Sequence, residues 1–146
     1  MNSLPEPPSA MDFFQVSLQA LMRECPAAYQ GICGLLAGRD LLVVLDGEPA
    51  VRLQFFAHEI ALQQAQEPFT AGWLRLHTSW QTILDLVDAR LSLLEAVYQG
   101  RLDFKGEAPR LIVLYEAMLL YLRGGVRSPT FPRLLEEVRR TKSNFI

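Results

Sequence analysis

The chain has 146 residues and a mass of 16.5 kDa, enough for one domain with a sizeable core. Half of its residues are apolar and 21% are charged, which excludes intrinsic disorder as a description of the whole. A net charge of -2 and a pI near 5.7 argue against a nucleic-acid partner.

The first ten residues, MNSLPEPPSA, have neither a basic start nor an apolar run, so they read as a flexible tail and not as a signal peptide. Residues 11–146 are expected to form one domain. From Ser9, a natural N-cap, Phe14, Leu18, Leu21 and Cys25 fall on one helical stripe that runs to about Glu24. Pro26 interrupts it, and the glycine-punctuated GICGLLA (residues 31–37) is expected as a strand. LLVVL (Leu41–Leu45) reads as a strand buried on both faces. Asp46-Gly47 signals a hairpin turn into Val51–Phe55, where Val51, Leu53 and Phe55 alternate with Arg52 and Gln54. AHEIALQQAQEPF is compatible with a short helix or an extended excursion.

WLRLHTS (Trp73–Ser79) alternates again, with Leu74 and Leu76 inward and Arg75 and His77 outward. Thr78 or Ser79 caps a helix with Trp80, Ile83, Leu84 and Val87 on one face. RLSLLEAVYQ is a second helical stretch, ended by Gly100. RLDFKG follows as a strand, with Leu102 and Phe104 on one side. Pro109 opens the most apolar helix, to about Leu122, closed by Gly124-Gly125, and a last helix carries Phe131, Leu134, Leu135 and Val138. The order of elements is that of an α+β fold with a mostly antiparallel sheet and helices gathered on one face.

No phosphate loop, dinucleotide fingerprint or nucleophile elbow is present, and no catalytic residue is assigned. His58-Glu59 begins like a zinc-protease motif, but position 62 is Leu, so no metal site is assigned. Asp85 and Asp88 lie one turn apart and read as a solvated face. Glu116 is the sole charge within LIVLYEAMLLYL, on an exposed edge with Arg123 or as a polar anchor at a pocket rim. That run is shorter than a membrane span. Cys25 and Cys33 match no redox or zinc motif and read as buried thiols in a reducing, cytoplasmic setting.

Charge is uneven along the chain. Residues 1–100 hold 5 basic and 11 acidic side chains, whereas residues 101–146 hold 9 basic and 5 acidic ones. The cations Arg123, Arg127, Arg133, Arg139, Arg140 and Lys142 read as a solvated helix face, or as a surface for transient contact with an anionic membrane.

The stretch from Trp73 to about Leu122 resembles the sterol carrier protein type 2 lipid-binding domain family, in its bacterial-type, single-domain form. The match is carried by ARLSLLEAVYQGRLDFKG (Ala89–Gly106). Arg90-Leu91 stands for the family's first Lys-Leu, and Gly100-Arg101-Leu102-x-Phe104-x-Gly106 reproduces its Gly-Lys-Leu-x-Ile-x-Gly unit without a gap. Ala89 replaces the first glycine, Trp80 stands where an acidic residue is common, and residues 57–70 form a longer segment than usual.

The resemblance implies a five-stranded sheet covered by about five helices around an apolar tunnel or pocket. It also implies non-catalytic binding of a sterol, fatty acyl group, phospholipid or isoprenoid quinone, without a cofactor. On this reading Leu111, Tyr115, Met118, Leu119 and Leu122 line the cavity, with Trp80, Leu84, Val87, Phe104, Phe131, Leu134 and Leu135 as further candidates. Burying ten methylenes supplies roughly 8 kcal/mol before ordering costs, which suits a micromolar carrier. The competing reading is an accessory or dimerisation module with a filled core, presenting apolar surface to a second copy or a partner enzyme.

Overall fold

The computed structural model describes residues 9–66, 69 and 72–142. The tail expected over residues 1–10 therefore lies, up to residue 8, outside the described residues. Helix α1 (Ala10–Glu24) starts where Ser9 and Asp12 form a reciprocal capping box, the Asp12 N–H donating to Ser9 Oγ at 3.1 Å. Cys25 leaves the helical conformation, and Pro26, needing no N–H partner at a first helical position, opens α2 (Pro26–Leu36).

The strand expected at residues 31–37 is thus the second half of a helix. Only Ile32 in it is β-branched, and Tyr29, Ile32, Cys33 and Leu36 make a buried helical face instead. Gly31 serves contact, since a Cβ there would meet Leu120 Cδ1 of a later helix at 2.9 Å.

The sheet contains β1 (Asp40–Leu45), β2 (Val51–Phe55), β3 (Ile60–Gln64), β4 (Leu74–Thr78) and β5 (Asp103–Lys105), in the order β3-β2-β1-β4-β5. The expected hairpin joins β1 to β2, and the ambiguous segment after it supplies β3 as an antiparallel edge strand. β4 returns parallel to β1, and β5 pairs antiparallel with β4, so three of the four pairings are antiparallel. Leu41, Val43, Leu53, Phe55, Leu76 and Thr78 share the inner face, which the helices cover. On the outer face Leu42 is nonetheless 0% exposed. Its register partners Arg52 and Arg75 flank it, with the Arg52 guanidinium 4.5 Å over the Trp73 ring and that of Arg75 5.8 Å from the Phe69 ring.

Four helices complete the described chain: α3 (Trp80–Val87), α4 (Leu93–Tyr98), α5 (Ala108–Arg127) and α6 (Thr130–Lys142). α5 does not stop at Gly124-Gly125 as expected; both glycines lie within it and are contact points. A Cβ on Gly124 would meet Leu21 and Ala28 at 2.7 and 2.9 Å, and one on Gly125 the Phe131 ring at 2.5 Å. Glu24 then ties α1 to the start of α6, accepting hydrogen bonds from the Ser128 hydroxyl and from the Thr130 N–H (3.1 Å) and hydroxyl (2.6 Å). These bonds hold the Glu24 carboxyl below its ordinary pKa.

Candidate ligand cavity

The inner sheet face and the helix layer do not fill the space between them. A cavity of about 110 Å³ remains, walled by the sheet residues just named and by α1, α2, α3 and α5. α5 contributes Leu114, Ala117, Met118, Tyr121 and Leu122, spaced to project from one face of that helix. α3 contributes Ile83, Leu86 and Val87, and α1 contributes Phe14 and Leu18.

Two wall residues carry side-chain polar atoms, Thr78 and Tyr121, and both are engaged within the protein. Thr78 Oγ1 donates to the Arg101 carbonyl at 2.9 Å. The Tyr121 hydroxyl donates to Ser17 Oγ at 2.6 Å, and Ser17 donates to the Phe14 carbonyl at 3.1 Å. Burial pushes the Tyr121 phenol above its ordinary pKa despite that hydrogen bond, so it stays a neutral donor. The cavity wall is therefore apolar in effect.

Of the residues expected to line a pocket, Val87, Met118 and Leu122 are on this wall. The other nine are not. Trp80 stands edge-on to Phe13, with ring centroids 5.3 Å apart, and donates from Nε1 to Glu48 at 3.0 Å. Leu84, Phe131, Leu134 and Leu135 are buried in the core, Phe131 against Gly125 and 5.7 Å from the Tyr121 ring. Phe104, Leu111, Tyr115 and Leu119 are half-buried and pack against the core from its periphery.

Most of the sheet wall lies outside the expected lining, although the alternation Leu41/Val43, Leu53/Phe55 and Leu76/Thr78 marks it. Ala117, whose short side chain leaves space on the inward face of α5, is likewise outside that expectation.

Charged groups sit away from the cavity. Asp85, read as solvated, instead accepts from Arg101 Nη2 at 2.6 Å, and that hydrogen bond lowers its pKa. Asp88 pairs with Arg139 of α6. Glu116 is exposed and is not among the residues lining this cavity. His77 bonds Asp46 at 2.6 Å, and His58 contacts Gln30 at 3.3 Å. Among the described residues no group of three or more His, Cys, Asp or Glu side chains is placed to hold a metal ion, and no helix is long and apolar enough to cross a membrane.

No protein-family profile matches the chain, and no curated protein matches it. Solved structures do match in shape. The UbiJ-SCP2 ubiquinone synthesis protein superposes with a TM-score of 0.58 at 16% identity, covering 84% of this chain and 96% of that one. The sterol carrier protein domain 2 of Helicoverpa armigera gives a TM-score of 0.59 at 10% identity, covering 84% and 95%. Sterol carrier protein 2 of Yarrowia lipolytica, in its apo form, gives 0.54 at 14% identity, covering 84% and 98%. The resemblance carried by Ala89–Gly106 thus holds at the level of architecture: the chain has the sterol carrier protein 2 fold.

Proposed function

We propose that this chain is a non-catalytic carrier of the sterol carrier protein type 2 family, holding the hydrocarbon part of a lipid or isoprenoid ligand between its sheet and its helices. The supporting observation is the void at the centre of the fold, on whose wall both polar side chains are already hydrogen-bonded. Such a wall rewards methyl and methylene groups and offers no anchor to a ligand hydroxyl or carboxylate, so the polar head stays outside. The fold shared with a protein named for ubiquinone synthesis makes an isoprenoid quinone the first ligand to test.

At about 110 Å³ the cavity is smaller than the ~300–1,000 Å³ of drug-sized ligand sites and near the ~150 Å³ that admits benzene. A lipid therefore enters only as the helix layer moves. The α2–α5 contact is close at Gly31 and Gly124 and resists movement. The half-buried wall residues Phe14, Val87, Met118, Tyr121 and Leu122 form the side that yields.

Titration with fluorescent fatty-acid and quinone analogues tests this reading. The unaltered chain should take up a probe with an affinity no tighter than about micromolar, following the methylene arithmetic. Ala117→Leu, which fills the void, should weaken uptake at least tenfold. Absence of uptake by the unaltered chain would favour the accessory-module reading.

The C-terminal cations support only a weaker membrane contact. Arg123, Arg127, Arg133 and Arg140 are exposed, but Glu136 and Glu137 interleave with them and Arg139 is paired. Binding to anionic vesicles through this region should be lost in high salt; binding that survives high salt contradicts it.

A further inference from the structure

A second concavity lies at the β4–β5 end of the sheet, and unlike the central cavity it gathers cationic side chains. It has a volume of about 370 Å³ and forms where the starts of β4 and α5 meet the end of β5. Arg75 and Lys105 are direct cross-strand partners on the outer face, so two like charges stand side by side. Sheets ordinarily avoid that arrangement because it destabilises the pair.

Arg110 brings a third cation to the same cleft, its Nη1 donating to the Gly72 carbonyl at 3.5 Å. Among the described residues, neither Arg75 nor Lys105 has a carboxylate partner. Among the described residues the one acid on the rim, Glu107, lies 3.7 Å from Arg110, and its side chain is 75% exposed, so it offsets little. The Arg75 guanidinium lies 5.8 Å from the Phe69 ring, and Trp73 and Leu74 supply apolar lining.

We propose that this cleft binds a phosphate group, with Arg75 and Arg110 supplying planar donor forks and Lys105 a point charge. Among the described residues, three cations against one solvated carboxylate match a phosphate dianion better than a single carboxylate. The group can belong to a lipid headgroup or to a free phosphorylated molecule. The site is independent of the central cavity: none of its residues lines that wall.

The test is a titration followed by the backbone amide resonances of Gly72, Trp73, Arg75, Lys105 and Gly106. With inorganic phosphate in low salt, these amides should shift saturably. The double variant Arg75→Gln/Lys105→Gln should weaken binding at least tenfold, whereas Arg133→Gln, on α6, should not change it. Short-chain phosphatidic acid moving the same amides identifies a lipid headgroup as a source; a response to inorganic phosphate alone identifies a free phosphorylated ligand. Lys105→Gln alone should melt no lower than the unaltered chain in phosphate-free buffer, because it relieves the repulsion. Non-saturating shifts, an undiminished response in the double variant, or a lower melting temperature for Lys105→Gln overturns the proposal. Uptake of the fatty-acid probe should be the same in all these variants, so failure of the phosphate site is distinguishable from failure of the carrier reading.

Discussion

Ala89 occupies the position at which the family's first glycine is expected, and its backbone shows why a glycine suits that place. Its φ is +60°, the left-handed region in which a Cβ costs about 1–2 kcal/mol. Ala89→Gly relieves that strain but widens the unfolded ensemble by about 0.5–1 kcal/mol. We predict a net gain of about 0.5–1 kcal/mol in denaturant melts.

Helical glycines behave in the opposite way where space is lacking. Gly125→Ala drives a methyl into the Phe131 ring and should cost about 1–3 kcal/mol despite better helix propensity. Gly34→Ala on α2 meets nothing within 4 Å and should gain up to about 1 kcal/mol. Equal effects at the two sites, read from the same melts, would contradict this packing account.

At the scale of elements, the fold depends on a few polar ties between segments distant in sequence. Arg101, just before β5, reaches back to α3, bonding Asp85 at 2.6 Å and Thr82 at 3.2 Å while its own carbonyl takes the Thr78 hydroxyl. The Asp85 side chain is only 17% exposed, so Asp85→Asn should cost about 1–2 kcal/mol at neutral pH. Asp85 and Glu24 both have folded pKa values below their ordinary ones of 3.8 and 4.5. Their stabilisation is therefore full above the ordinary carboxylate range and lost as pH falls through the lower folded values. Melts of Asp85→Asn and Glu24→Gln should converge on the unaltered chain as pH drops from 5 towards 2; a constant gap would contradict the linkage.

These ties were not legible in the sequence, because partners such as Glu24 and Thr130 are joined only by the finished fold. The strands β1, β2 and β4 were legible, since each alternates or runs apolar for its whole length. Residues 31–37 were misread because glycine signals both a break and a close helix contact. Gly31 and Gly124 are of the second kind, which shows only when Leu120 and Ala28 are in place.

At the scale of the whole molecule, the apolar excess serves two purposes. Most of it closes a core, including Leu84, Phe131, Leu134 and Leu135, which a pocket-centred reading assigned to the ligand. A smaller set surrounds a void that the closed core does not fill. The phase of α5 separates the two. Leu114, Ala117, Met118, Tyr121 and Leu122 face the void, while Leu111, Tyr115 and Leu119 lie off that wall, and Ile112 is 63% exposed. A sequence in which nearly every position of that helix is apolar does not reveal its phase. Only the sheet opposite fixes it. Filling the void with Ala117→Leu should leave stability unchanged or raise it by about 0.5–2 kcal/mol, as cavity-filling changes commonly do.

The central claim is that this void opens to hold one hydrophobic ligand. Native mass spectrometry of the chain purified from cells, beside its Ala117→Leu variant, tests it most directly. The account predicts a single lipid-sized adduct on the unaltered chain and a bare variant. A bare homodimer from both, with the same mass per subunit as the polypeptide, would contradict it.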